Sequence, residues 1–101
     1  MVANAADATQ VKAARKTRKR TRTTEVEDLR AVLAIQSGRR VLWRILTQCG
    51  TFKSTAASDS SLMAYNAGRQ DIGHFLLSEI THANPDLLPQ LMSEAYKENK
   101  V

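Results

Sequence analysis

Seven of the eleven residues from Lys12 to Arg22 are basic (Lys12, Arg15, Lys16, Arg18, Lys19, Arg20 and Arg22), and Asp7 is the only acid before Glu25. Residues 1–24 thus carry a formal +6, whereas residues 25–101 hold eight basic and nine acidic side chains and come to −1. The net charge of +5 and the pI near 9.8 therefore describe an N-terminal arm and not the rest of the chain. A polyanion is the natural partner of such an arm. Beyond alanine its only aliphatics are Val2 and Val11, too few to offset the entropy of ordering by burial. The expectation is a basic arm over residues 1–24, disordered alone or ordered by a partner, with a nascent helix around Ala5 to Arg20. A helical domain follows over residues 25–101.

With 101 residues there is room for one domain, and the arm leaves about 77 of them to build it. A body that small buries only roughly 60% of the surface its unfolded chain exposes, so its stability is marginal. Cys49 is the only cysteine and rules out an internal disulfide. No metal cluster or cofactor motif is read from His74 and His82, which stand eight residues apart. Self-association or docking on a larger assembly is the remaining source of stability. No apolar run approaches the roughly 18 residues of a membrane span, and no secretory signal is present. An organellar transit peptide would be amphipathic, whereas the stretch from Ala14 to Thr24 reads as basic on every face.

Thr24 followed by Glu27 is a capping-box pattern, and Val26, Leu29, Val32 and Leu33 recur at helical steps, which predicts a first short helix to about Ala34. Ser37 is the expected cap of a second helix with Val41, Leu42, Ile45, Leu46 and Cys49 on one apolar face, ended by Gly50. The Ser- and Thr-rich stretch from Thr51 to Ser61 reads as a loop pinned by Phe52, after which Asp59 or Ser60 caps a third helix. Leu62, Tyr65, Ile72, Phe75, Leu76 and Ile80 mark its apolar stripe. Gly68 and Gly73 interrupt that stripe at about 1 kcal/mol each, which points to a close backbone or a bend. Asn84-Pro85 ends this helix and opens a fourth, with a second start at Pro89 and Leu87, Leu88, Leu91, Met92, Ala95 and Tyr96 on its buried side. No segment has strand periodicity. The fold class is all-α, a small bundle of about four helices.

A catalytic reading would draw on Cys49, His74, His82, Asp71 and Glu79. Free cysteines are mostly buried, so Cys49 reads as a structural thiol. His82 falls in the last turn of its helix, where imidazole meets terminal carbonyls, and Asp71 and Glu79 read as solvated charges. No phosphate-binding glycine loop or paired-carboxylate motif is present, and no enzymatic activity is expected. The arm supports a firmer expectation. Seven cations on seven phosphates of duplex DNA give a log K against log salt slope of roughly −6, with little sequence preference. A solubilising tail and a nuclear-import signal, loosely matched by KTRKRTR, are the other readings.

Arg39, Arg40 and Arg44 surround Trp43 in a second basic feature. An exposed tryptophan beside arginines anchors a partner or stacks on a base. The alternative is a core Trp43 with its arginines paired to Glu79, Asp71 or Glu27.

Two segments carry a resemblance: GRRVLWRILTQCGTF, with Gly38, Arg39, Arg40, Trp43, Gly50 and Phe52, and YNAGRQDIGHFLLSEI, with Asn66, Gly68, Arg69, Gly73 and Leu77. Together they resemble the small Bordetella-phage-type (Bbp-like) domain of tailed bacteriophages over about Ala31 to Glu94. Usual members have Thr-Pro-Glu where Ile35-Gln36-Ser37 stands here, and aromatics where Met63 and Ala64 stand. The arm is outside the resemblance. It implies a place among head and tail morphogenesis proteins of short-tailed phages, in the virion and in host cytoplasm during assembly, with no catalytic residues to transfer. The implied role is an accessory component near the portal, connector or internal ejection apparatus, in several symmetric copies. Its partners would be other virion proteins and, through the arm, DNA bound without sequence preference. Arg39, Arg40, Trp43, Arg44 and Arg69 are the possible interface residues. A non-virion accessory that binds nucleic acid during packaging or regulation is the alternative. The lack of a helix-turn-helix pairing counts against sequence-specific reading in either case.

Overall fold

The computed structural model describes residues 5–99, so the first four residues of the expected arm and the last two of the helical domain lie outside the described residues. Four helices follow one another: α1 (Ala5–Leu33), α2 (Gln36–Gln48), α3 (Ser60–Ala83) and α4 (Leu87–Asn99). The described residues contain no strand. Leu46, Ile80 and Leu91, one each from α2, α3 and α4, are the largest fully buried side chains. Val26 and Leu33 from α1, with Ala83 and Leu87, complete the buried core, and Leu29, Leu42, Trp43, Leu76, Leu77 and Leu88 pack around it. The arrangement is flat, 63 × 39 × 17 Å, and its radius of gyration of 19.2 Å far exceeds the ~13 Å of a compact domain of this length.

α1 accounts for much of that extension, and it departs from the expected arm. The helix does not begin at Thr24 but runs unbroken from the cationic segment into the body. Two forces outweigh the capping-box signal. The body already nucleates the helix, so each added residue needs only propagation, and Ala, Lys and Arg are good helix formers. Thr24 is consequently interior: its hydroxyl donates to the Arg20 carbonyl at 3.0 Å. Thr17, Thr21 and Thr23 fold back on residues four earlier in the same way. Every residue from Asp7 to Thr21 is exposed, as the scarcity of aliphatics leads one to expect, whereas Arg22 is half-buried.

Ser37 does not cap α2. Ile35 is the extended residue before it, without a side-chain cap, and the chain turns through Ala34 and Ile35 by backbone bonds to Arg30 and Val32. At the other end Gly50 takes a φ of 65°. Its N–H donates to the Thr47 carbonyl and the Thr51 N–H to the Leu46 carbonyl, a Schellman closure that only glycine adopts without strain. Asp59 caps α3 as expected, accepting from the Ser61 N–H at 2.8 Å. α4 starts at Leu87, not at Pro85, after a turn in which Asn84 accepts from the Asp86 and Leu87 N–H groups. Pro89 therefore lies in the first turn of α4, where its missing donor costs nothing. No second start is needed.

Burial divides the predicted apolar faces. On α3, Leu76 and Ile80 point to the core while Leu62, Tyr65, Ile72 and Phe75 remain exposed; on α4, Met92 and Tyr96 are exposed. Val41 and Ile45 of α2 are exposed as well, and Cys49 is half-buried rather than fully enclosed. Gly73 is the close approach expected of an interrupted helix: a Cβ there would collide with the Thr51 hydroxyl and lie 2.9 Å from the Cys49 Cβ. Gly68 faces open space.

Leu46→Ala is expected to cost about 2–5 kcal/mol in urea denaturation, as a fully enclosed leucine does. The two glycines should respond oppositely. Gly73→Ala destabilises by about 1–3 kcal/mol, because Thr51 is pinned by its own bond to Leu46, while Gly68→Ala in dilute protein stabilises by about 0.5–1 kcal/mol.

Candidate nucleic-acid interface

At 100° per residue, Lys12, Arg15, Lys16, Arg18, Lys19 and Arg20 span an arc of about 200° on α1. Gln10, Ala13, Ala14, Thr17 and Thr21 occupy the other side, so the cationic segment is not basic on every face as its composition suggested. All six cations are exposed, and none is held in an ion pair among the described residues. Lys12 and Lys16, Arg15 and Lys19, and Lys16 and Arg20 stand four apart, a spacing at which like charges repel by about 0.2–0.5 kcal/mol per pair. Phosphates along a polyanion would relieve that repulsion, and the helix presents its charges along one solvated cylinder.

Arg22, the seventh cation, has a different role. Its guanidinium donates to both carboxylate oxygens of Glu79 on α3, at 2.6 and 3.0 Å, and also to Glu25 at 3.2 Å. The cationic segment thus ends in an anchorage, reinforced by Arg30, whose Nε donates to the Ala83 carbonyl at 2.9 Å. Hydrogen bonding from Arg22 holds the Glu79 carboxyl below the usual carboxylate range, and the same bond raises Arg22. Glu79 is therefore an anchor and not a solvated charge.

The second basic feature is largely committed to the fold. Arg39 meets Glu94 of α4 at 2.9 Å and donates to the Leu33 carbonyl at 2.9 Å, tying α2 to both α4 and the end of α1. The partner is Glu94 and none of Glu79, Asp71 or Glu27. Arg40 approaches Glu98 at 3.5 Å, and only Arg44 of the three has no ion pair among the described residues. Trp43 is half-buried against the core and stacks on Phe52 with ring centroids 5.6 Å apart. The shallow cleft around Arg39, Arg40 and Trp43 also contains Glu94 and Glu98, so its charges cancel. Arg69 lies over the Tyr65 ring, 5.5 Å from its centroid.

Other residues of the two segments also hold the chain together. Gln70 donates to the Gly50 and Lys53 carbonyls, and Asn66 to that of Thr55, so α3 clamps the loop that Phe52 was expected to pin. A Cβ at Gly38 would collide with the Val32 carbonyl. Cys49 borders this loop beside Lys53 and Arg69, whereas His74 and His82 line a separate groove on α3. Among the described residues no three of His, Cys, Asp and Glu are grouped to hold a metal ion. No helix among them is long and apolar enough to cross a membrane.

Sequence reasoning missed Glu94 and Gln70, and it named Glu79 and Asn66 without the roles they take here. The partners of the two glutamates lie 57 and 55 positions away, and no local pattern encodes such a pairing. Both carboxyls are lowered, each chiefly by its arginine's hydrogen bond. Their stabilisation is complete above the ordinary glutamate value of about 4.3 and is lost as the pH falls through the lower folded value. In urea titrations the difference between the parent chain and Glu94→Gln should be widest near pH 7 and close as the pH falls toward 3. A constant difference would contradict the pairing.

The chain matches no curated protein and no solved structure. A family model does match, over residues 29–93, a span that starts beyond the cationic segment and takes in Gly38, Arg39, Asn66, Gln70 and Gly73. These residues hold α2 to α1 and α4, and α3 to the loop that precedes it. With well over half of its length covered, the chain belongs to the Bbp19-like phage protein family.

Proposed function

We propose that the protein is a non-catalytic virion component of the head–tail region, at the portal, connector or internal ejection apparatus. Its helical body docks on neighbouring virion proteins in several copies, and its cationic helix contacts DNA or an acidic protein surface. The observation that carries this reading is the exposed half of α1, six unpaired cations on a helix that leaves the body. Membership of a phage protein family supports the setting. The exposure of twelve large apolar side chains on the body, against seven buried apolar residues, supports a docked body.

Because Arg22 is engaged by Glu79, six cations rather than seven meet phosphates, and the expected slope of log K against log salt on duplex DNA is about −5. Replacing Lys12, Arg15, Lys16, Arg18, Lys19 and Arg20 by glutamine should flatten that slope toward zero while the helical signal of the body persists. Retained salt-sensitive binding would move the interface to Arg44 and its surroundings. Quantitative mass spectrometry of purified particles tests the location: a fixed copy number supports the virion role. Absence from mature particles, with DNA binding intact, favours an accessory acting in packaging or regulation.

A further inference from the structure

The exposed apolar face of α3 is ordered. Tyr65, Gly68, Ile72 and Phe75 follow one another at steps of three, four and three residues, the spacing of a helix–helix seam. Tyr65, Ile72 and Phe75 are each 61% exposed, with Leu62 at the edge 47% exposed. In their midst Gly68 has nothing within 4 Å of where a Cβ would stand. Gly73 owes its lack of a side chain to Thr51 and Cys49. Within the chain Gly68 has no such reason, although it weakens the helix by about 1 kcal/mol.

We infer that this seam is a self-association surface, on which α3 of a second copy lies antiparallel across a two-fold axis near Gln70. Under that symmetry residues whose numbers add to 140 face each other. Tyr65 meets the partner's Phe75, and Ile72 fills the space over the partner's Gly68, so large opposes small and aromatic opposes aromatic. Few surfaces are complementary to themselves in this way, and an isologous pair requires it. The length also fits. The seam ends at Glu79, where α1 crosses, and an antiparallel α3 reaches that point at Ser61, one residue inside its own N-terminus.

The area suits a reversible dimer. Large side chains of this kind offer ~150–250 Å² each, so at 61% exposure the three leave roughly 300–450 Å² per copy. Two copies with Leu62 and the flanks come to about 1,000 Å², the lower bound of a specific interface. The pairing deepens the multi-copy element of the proposed function and rests on that reading for its biological setting. It does not involve the cationic helix.

Sedimentation equilibrium of the full chain across micromolar to submillimolar concentration tests it. The expected result is a monomer–dimer equilibrium in the micromolar range that Ile72→Glu weakens at least 100-fold, with the circular dichroism of the body unchanged. Met92→Glu, an equally drastic change at an exposed position on α4, should leave the equilibrium in place. A chain that stays monomeric throughout overturns the inference, as does an assembly of any size that survives Ile72→Glu. Particles that contain a protein monomeric in solution would remove the pairing and leave the virion reading standing.

Discussion

Leu46, Ile80 and Leu91 meet where α2, α3 and α4 converge, and little else in the chain is sealed from water. At about 25 cal/mol per Å² of apolar surface removed from water, three enclosed aliphatics and four buried neighbours form a modest core. Everything else is arranged around that scarcity. The body does not thicken into a globule; its helices stay in a slab 17 Å deep, and polar ties supplement what burial leaves short. Arg39 joins three helices through one guanidinium, and Gln70 and Asn66 hold a loop that has few apolar contacts of its own.

The span from residue 29 to residue 93 acquires a physical meaning from these ties. Gly38 and Gly73 are places where a second segment passes too close for a side chain, Gly50 is a left-handed helix end, and Arg39, Asn66 and Gln70 are clamps. Residues of this kind specify a scaffold and leave its chemistry open. The cationic segment lies outside residues 29–93, the span that the family model matches.

Local signals made much of this legible. Helical periodicity located four helices, Asp59 announced a start and Gly50 an end, because caps and closures depend on residues a few positions apart. Thr24 misled for an instructive reason: a capping box is a signal only if the helix has not already begun, and α1 had begun nineteen residues earlier, at Ala5. The apolar stripes of α3 and α4 were visible as stripes, but which half of each would be covered depends on where the other helices lie. Ile72 and Phe75 are as hydrophobic as Leu76 and Ile80 and ended on the other side. The candidate site was half legible. Its six cations stand in the sequence in plain order, whereas the withdrawal of Arg22 into a pair with Glu79 needed the tertiary structure.

The unbroken course of α1 has a mechanical consequence. From Ala5 to Arg22 the helix extends about 25 Å at 1.5 Å per residue, and it is stiff where a random coil would slacken. A load on its tip is therefore delivered as torque at its root, where the Arg22–Glu79 fork and the Arg30 bond to Ala83 are the fulcrum. A tether would let its two ends reorient independently; this lever makes the orientation of its tip a statement about that of the body.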